Sequence, residues 1–178
     1  MRQTTGFSFV LASASMLLAG VAFADDNKTC YEASGDTAIA ACSRVIDSSN
    51  STKDNLLDAY TNRGQAYYIK KDYARAIADF GMAIRLNPRT ILAYGNRGNA
   101  KSMLEQPDAA IADYTKAIAN DREYTAAYTG RAMEYENKGK NDLAIADYRA
   151  ALRVKQKYQD GEWAHDKARE RLKALGVQ

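Results

Sequence analysis

Residues 62–80 read NRGQAYYIKKDYARAIADF, residues 96–114 read NRGNAKSMLEQPDAAIADY, and residues 130–148 read GRAMEYENKGKNDLAIADY. Laid over each other at a step of 34 residues they share one register without a gap. Tyr60, Tyr94 and Tyr128 coincide, then Arg63, Arg97 and Arg131, then Gly64, Gly98 and Ala132. Downstream the matches are Ala76/Ala110/Ala144, Ile77/Ile111/Ile145, Asp79/Asp113/Asp147, Phe80/Tyr114/Tyr148, Ala83/Ala117/Ala151 and Ile84/Ile118/Leu152. Self-similarity at a fixed period of this length marks a repeat protein.

Each unit divides into two helical patterns. In unit one a first helix over about 57–70 puts Tyr60, Gly64 and Tyr67 on one stripe at i, i+4, i+7. A second, over about 73–86, puts Ala76, Phe80, Ala83 and Ile84 on another. The stretches KKDY, EQPD and KGKND supply turn residues between them, Pro107 suits a first helical turn, and Asn87-Pro88 stops the second helix. Gly64 and Ala76 let the pair approach closely, and Phe80 fills the space beside them. One hairpin cannot bury its own apolar stripe, whereas three or more stacked units can. The expected fold is all-α, a solenoid of antiparallel helix pairs.

These residues resemble the tetratricopeptide repeat, whose pattern is an aromatic, a small residue four later, then Tyr, Ala, Phe, Ala and Pro at set offsets. Unit one (57–90) has Tyr60, Gly64, Tyr67, Ala76, Phe80, Ala83 and Pro88. Unit two (91–124) departs at Lys101 and Arg122, where Tyr and Pro are expected. Unit three (125–158) departs at Ala132 and Gln156. The resemblance implies a right-handed superhelix that binds protein segments in its inner groove.

The flanks read as caps. Residues 25–56 form a degenerate half repeat: GDTAIAACSRVI (35–46) echoes a second helix, but 38 residues upstream, with a looser link, DSSNSTKDN, before unit one. Residues 159–178 form a closing helix with Trp163, Lys167, Leu172 and Leu175 in a helical pattern. This layout also resembles small secreted tetratricopeptide proteins of Gram-negative bacteria.

At the other end Met1-Arg2, the apolar stretch from Phe7 to Ala24 and the small-x-small exit Ala22-Phe23-Ala24 describe a secretory signal peptide over residues 1–24. The alternative is an uncleaved anchor. The stretch is barely long enough to span a bilayer and has no basic stop after it. The expected localisation is therefore periplasmic, with no membrane insertion of the mature chain. Cys30 and Cys42, the two cysteines, lie symmetrically about Asp36 and face each other if the segment is a helical hairpin. Export favours a disulfide between them; two small buried thiols are the alternative.

Charge is nearly balanced, with 25 Lys and Arg against 22 Asp and Glu. No basic run points to nucleic acid. Phosphate loops, nucleophile elbows and zinc motifs are absent from the sequence. His165, the one histidine, reads as a solvated residue on the charged face of the last helix, and Asp79, Asp113 and Asp147 as a structural ladder with Arg63, Arg97 and Arg131. No catalytic residue, metal site or cofactor is expected.

What the resemblance leaves for function is the inner face of the first helices. Offset from the packing stripe there are Asp58, Thr61, Asn62, Gln65 and Tyr68; then Asn96, Asn99, Ser102 and Met103; then Thr129, Met133, Glu136 and Asn137. The family's clamp for a C-terminal carboxylate would put its lysines and arginine at Thr61, Ala126 and Gly130, so only Asn96 matches it, with Gln65 in place of a second Asn. The expected partner-binding set is Asn62, Gln65, Asn96 and Asn99, with Tyr68 as an apolar contact and Met133 beside them. Side-chain amides carry donor and acceptor together and suit the unpaired backbone of an extended peptide. The plain alternative is that NRG is a surface habit of such repeats. The expected partner is a protein or peptide; a self-associating envelope scaffold, a weak homo-oligomer, is the rival.

Overall fold

The computed structural model describes residues 25–155 and 157–177. The signal-peptide expectation and Gln156 lie outside them. The described residues are helical over 25–32 (α1), Gly35–Asp47 (α2), Lys53–Ile69 (α3), Tyr73–Leu86 (α4), Ile91–Met103 (α5), Pro107–Asn120 (α6), Thr125–Asn137 (α7), Asn141–Arg153 (α8) and Gly161–Ala174 (α9). Successive helices pack as antiparallel pairs, each against the next. The first helices α3, α5 and α7 also touch one another, whereas α4, α6 and α8 do not. A stack held closer along one row of helices than the other curves toward that row, so α3, α5 and α7 form the inner face.

Small residues set the spacing. A Cβ at Gly64 would stand 2.8 Å from the Phe80 ring, and one at Gly98 would stand 2.8 Å from the Tyr114 ring. The fully buried Phe80 and Tyr148 and the nearly buried Tyr114 anchor three core clusters floored by alanine. Asp79, Asp113 and Asp147 are also buried. Each receives a two-pronged guanidinium from the first helix of its own unit: Arg63 at 2.8 and 2.8 Å, Arg97 at 2.8 and 2.7 Å, Arg131 at 2.7 and 2.9 Å. The planar fork satisfies a carboxylate that burial would otherwise strand.

Departures from the repeat pattern have local explanations. Lys101, in the place of a tyrosine, reaches Asp113 Oδ2 at 2.7 Å and adds a second cation to that carboxylate. In units one and three the tyrosines at this position, Tyr67 and Tyr135, stack against Arg63 and Arg131 instead. The turn after the second helix does not depend on proline: Asn87 Oδ1 accepts from Arg89 N at 3.0 Å, and Asp121 Oδ1 from Glu123 N at 2.8 Å. Pro107 takes the first turn of α6, where its missing N–H is harmless.

Three expectations require correction. Helix α3 starts at Lys53, within the supposed loose link, because Thr52 and Asn55 cap it reciprocally: Asn55 N donates to Thr52 Oγ1 at 3.1 Å and Thr52 N to Asn55 Oδ1 at 3.2 Å. His165 is buried, not solvated. Gly161, Ala164, His165, Ala168 and Leu172 form the stripe α9 lays on α7 and α8. The small Gly161, Ala164 and Ala168 allow the close approach, and Trp163, rotated off that stripe, is 53% exposed. Third, Thr129 does not face the groove; it is fully buried and its hydroxyl donates to the Ala164 carbonyl at 3.1 Å, tying α7 to α9.

At the N-terminal end Cys30 and Cys42 are joined, closing α1 onto α2 with a Cα separation of 4.7 Å. No described helix is long and apolar enough to cross a membrane.

Candidate functional site

The inner face carries three recesses linked by shared residues. One of about 120 Å³ lies between the α1–α2 turn and α3 and is lined by Asn62, Gln65 and Ile69 on the α3 side. A narrow one of about 30 Å³ follows, formed by Gln65, Tyr68, Asn96 and Asn99. It shares Tyr68 and Asn99 with a third of about 340 Å³, lined also by Met103, Met133, Glu134 and Trp163. The structure thus places Asn62, Gln65, Tyr68, Asn96, Asn99 and Met133 in the walls of three neighbouring recesses.

Their amides are not equivalent. Among the described residues, the side chains of Asn62, Gln65 and Asn96 make no hydrogen bond to the rest of the chain. Asn99 does: the Tyr114 hydroxyl donates to its Oδ1 at 2.7 Å, leaving the amide NH₂ for a ligand. Burial foremost, then the neighbouring Glu134, pushes the Tyr114 hydroxyl far above the ordinary phenol range, so it remains a donor. Tyr68 meets Tyr73 edge-on at 5.5 Å, which fixes the ring at the groove wall.

A substitution within the repeat lies in the wall of the third recess. Asn62 and Asn96 are followed, one period on, by Gly130. A Cβ at Gly130 would stand 2.7 Å from the Tyr114 ring, so glycine makes room for that ring between α5 and α7. Two further positions change with it. The column Tyr68, Ser102, Glu136 becomes small at Ser102, and the column Ala66, Ala100, Glu134 gains a carboxylate. Glu134 was not among the expected site residues, and neither was Trp163. The signal for Glu134 was in the alignment: a buried alanine in two units replaced by an acid in the third.

At the C-terminal end of the inner face Glu136 accepts from the Tyr148 hydroxyl at 2.9 Å and pairs with Arg171. Arg171 foremost holds the Glu136 carboxyl below its usual range. This acid is committed to holding α9 in place. Among the described residues no group of His, Cys, Asp and Glu is arranged to hold a metal ion.

Comparison with known proteins agrees with this geometry. Family models described as tetratricopeptide repeat match residues 57–89, 91–124 and 125–158. The chain belongs to the tetratricopeptide repeat family. Solved structures superimpose on it. The tetratricopeptide domain of Arabidopsis OM64 is 27% identical with a TM-score of 0.58, over 67% of this chain and 99% of that one. A crystal structure of MamA is 25% identical with a TM-score of 0.61, over 78% and 84%. The second tetratricopeptide domain of Spaghetti, bound to the Hsp90 peptide SRMEEVD, is 25% identical with a TM-score of 0.55, over 58% and 97%. None of the curated proteins compared with the chain matches it. The tetratricopeptide repeat is a non-catalytic fold and, in general, a protein–protein interaction module.

Proposed function

We propose that this tetratricopeptide protein is an exported binding module that holds an extended segment of a partner protein along its inner face, in the bacterial periplasm. The observation that carries the reading is a row of neighbouring recesses floored by amides with no partner inside the described chain, Asn62, Gln65 and Asn96. Peptide binding by a neighbour such as the Spaghetti domain supports the mode. The chemistry differs from an acidic-tail clamp. At the positions where clamp cations would fall, Thr61 donates to its own helix at Leu57 O, 2.8 Å away, and Gly130 only makes room for Tyr114. Export is supported by the basic start at Arg2, the apolar stretch up to Ala24 and the joined pair Cys30–Cys42.

Capture of partners from envelope extract, followed by hydrogen exchange on the complex, tests the reading. Protection on binding should run along the exposed edges of α3, α5 and α7; protection confined to α4, α6 and α8 would refute it. The rival is a self-associating scaffold. Sizing over a dilution series separates the two: a monomer is expected, and a dimer that survives dilution would favour the scaffold. Mass spectrometry of the exported protein should find Asp25 at the N-terminus, and an intact Met1 would overturn the proposed processing.

A further inference from the structure

Glu134 is only 4% exposed, yet it lies in the wall of the largest inner-face recess. Its one side-chain partner among the described residues is Ser102, whose hydroxyl donates to Oε1 at 2.5 Å. No lysine or arginine of the described chain pairs with it. The nearby cations are engaged elsewhere: Lys101 with Asp113, Lys138 with Asp108, Arg131 with Asp147 and Arg171 with Glu136. Taking a carboxylate out of water with a single hydroxyl in exchange is unfavourable, and buried acids are ordinarily paired. The other two units keep alanine at this position, so packing of the repeat does not require the acid.

The rest of the recess has the chemistry of a cation's surroundings. Tyr68 and Trp163 present aromatic surface on its walls, and Met103 and Met133 give adaptable apolar contact for an alkyl stem. The space, about 340 Å³, admits one long side chain. Granting the inner face as the binding face, we infer that this recess takes a lysine or arginine side chain of the bound segment. Its stem lies between Met103, Met133 and Trp163, and its charged head lies at Glu134 beside Ser102. This is the reverse of acidic-tail recognition, and it makes charge the selector at one position of an otherwise backbone-read segment.

The probe is a library of hexapeptides with acetylated and amidated ends, each position scanned with Lys, Arg, norleucine, Gln and Glu, and read by capture and by Trp163 fluorescence. Trp163 is the single tryptophan, so its emission reports the recess directly. Lys or Arg should be enriched at one position, with quenching or a shift of Trp163 emission. Glu134→Gln keeps an acceptor for Ser102 and should weaken the basic peptide roughly tenfold or more, the loss of one charge-assisted hydrogen bond. The norleucine version should bind both proteins alike. Trp163→Leu, at a half-exposed site, should weaken it roughly two- to fivefold and serves if the first variant does not fold. Peptides captured in an Asn62- and Asn96-dependent way but without basic preference, or preferring Glu, would overturn the inference and leave the groove reading standing. Equal affinity for the basic peptide in Glu134→Gln would do the same. Capture of no peptide would overturn both.

Discussion

Gly81 is buried in the middle of α4, and a Cβ there would meet only Arg97 Nη1, at 3.7 Å. At the equivalent joints on either side, the same guanidinium nitrogen has a hydroxyl to bind. Arg63 Nη1 donates to Ser43 Oγ at 2.9 Å, and Arg131 Nη1 to Thr115 Oγ1 at 3.0 Å. Thr115 lies one 34-residue period beyond Gly81, and Ser43 lies at the 38-residue offset of the cap. Gly81→Ser should therefore supply the missing rung. Helix propensity alone contributes about 0.5 kcal/mol for serine over glycine and about 1 kcal/mol for alanine over glycine. A hydrogen bond to a charged donor adds about 1 kcal/mol, taken low because the Arg97 side chain is 21% exposed. The serine variant should gain about 1.5 kcal/mol, or about 3–6 °C in melting midpoint, and the alanine variant about 1 kcal/mol. Urea and thermal unfolding of the three proteins provide the assay. A serine variant less stable than the alanine variant by about 0.5 kcal/mol would show propensity acting alone and no hydrogen bond across the joint.

Three other outcomes follow from the structure. Lys71, Glu105 and Gly139 share one repeat position and all have positive φ, 63°, 56° and 69°, so replacing Lys71 or Glu105 with Gly should stabilise by roughly 0.5–1 kcal/mol in chemical denaturation. Breaking Cys30–Cys42 with Ser at both positions should cost about 2–3 kcal/mol in the chain-entropy model, with hydrogen exchange rising first in α1 and α2; unchanged exchange there would contradict a stapled cap. The Tyr158 hydroxyl, then Lys157 and the Glu123 amide, hold Asp121 down to about 2 from an ordinary 3.8. A depressed carboxyl contributes stability above its unfolded value and loses it as pH falls through the folded one. Asp121→Asn should therefore flatten the fall in melting midpoint between about pH 4 and pH 2, and an unaltered profile would show the contacts to be idle.

The fold was legible because each constraint recurs. One glycine beside an aromatic is ambiguous, but Gly64 with Phe80 and Gly98 with Tyr114 state the same close approach twice. The Arg–Asp ladder was readable for the same reason. The ends were harder. Helix α9 stands outside the period, so repetition did not fix which face packs. The expected pattern of Trp163, Lys167, Leu172 and Leu175 shares only Leu172 with the packed stripe, which small residues and His165 complete. The capping pair Thr52 and Asn55 extended α3 backward because a local hydrogen-bond exchange outweighed a composition that looked like linker. For the groove, the six expected residues followed from the family resemblance, which assigns the inner face to the first helices, together with their offset from the packing stripe. Glu134 did not, because its column reads as core and only the folded chain shows that the buried acid borders a recess.

The central claim is that the inner face reads an extended partner through its free amides. The direct measurement is calorimetric titration of a captured partner segment into the wild type and into a variant carrying Asn62→Ala and Asn96→Ala, with helical content followed by circular dichroism. One neutral hydrogen bond lost at each position predicts about 1 kcal/mol apiece, roughly thirtyfold weaker binding together, with helicity unchanged. Equal affinity for both proteins would contradict the account and move the search to the outer face.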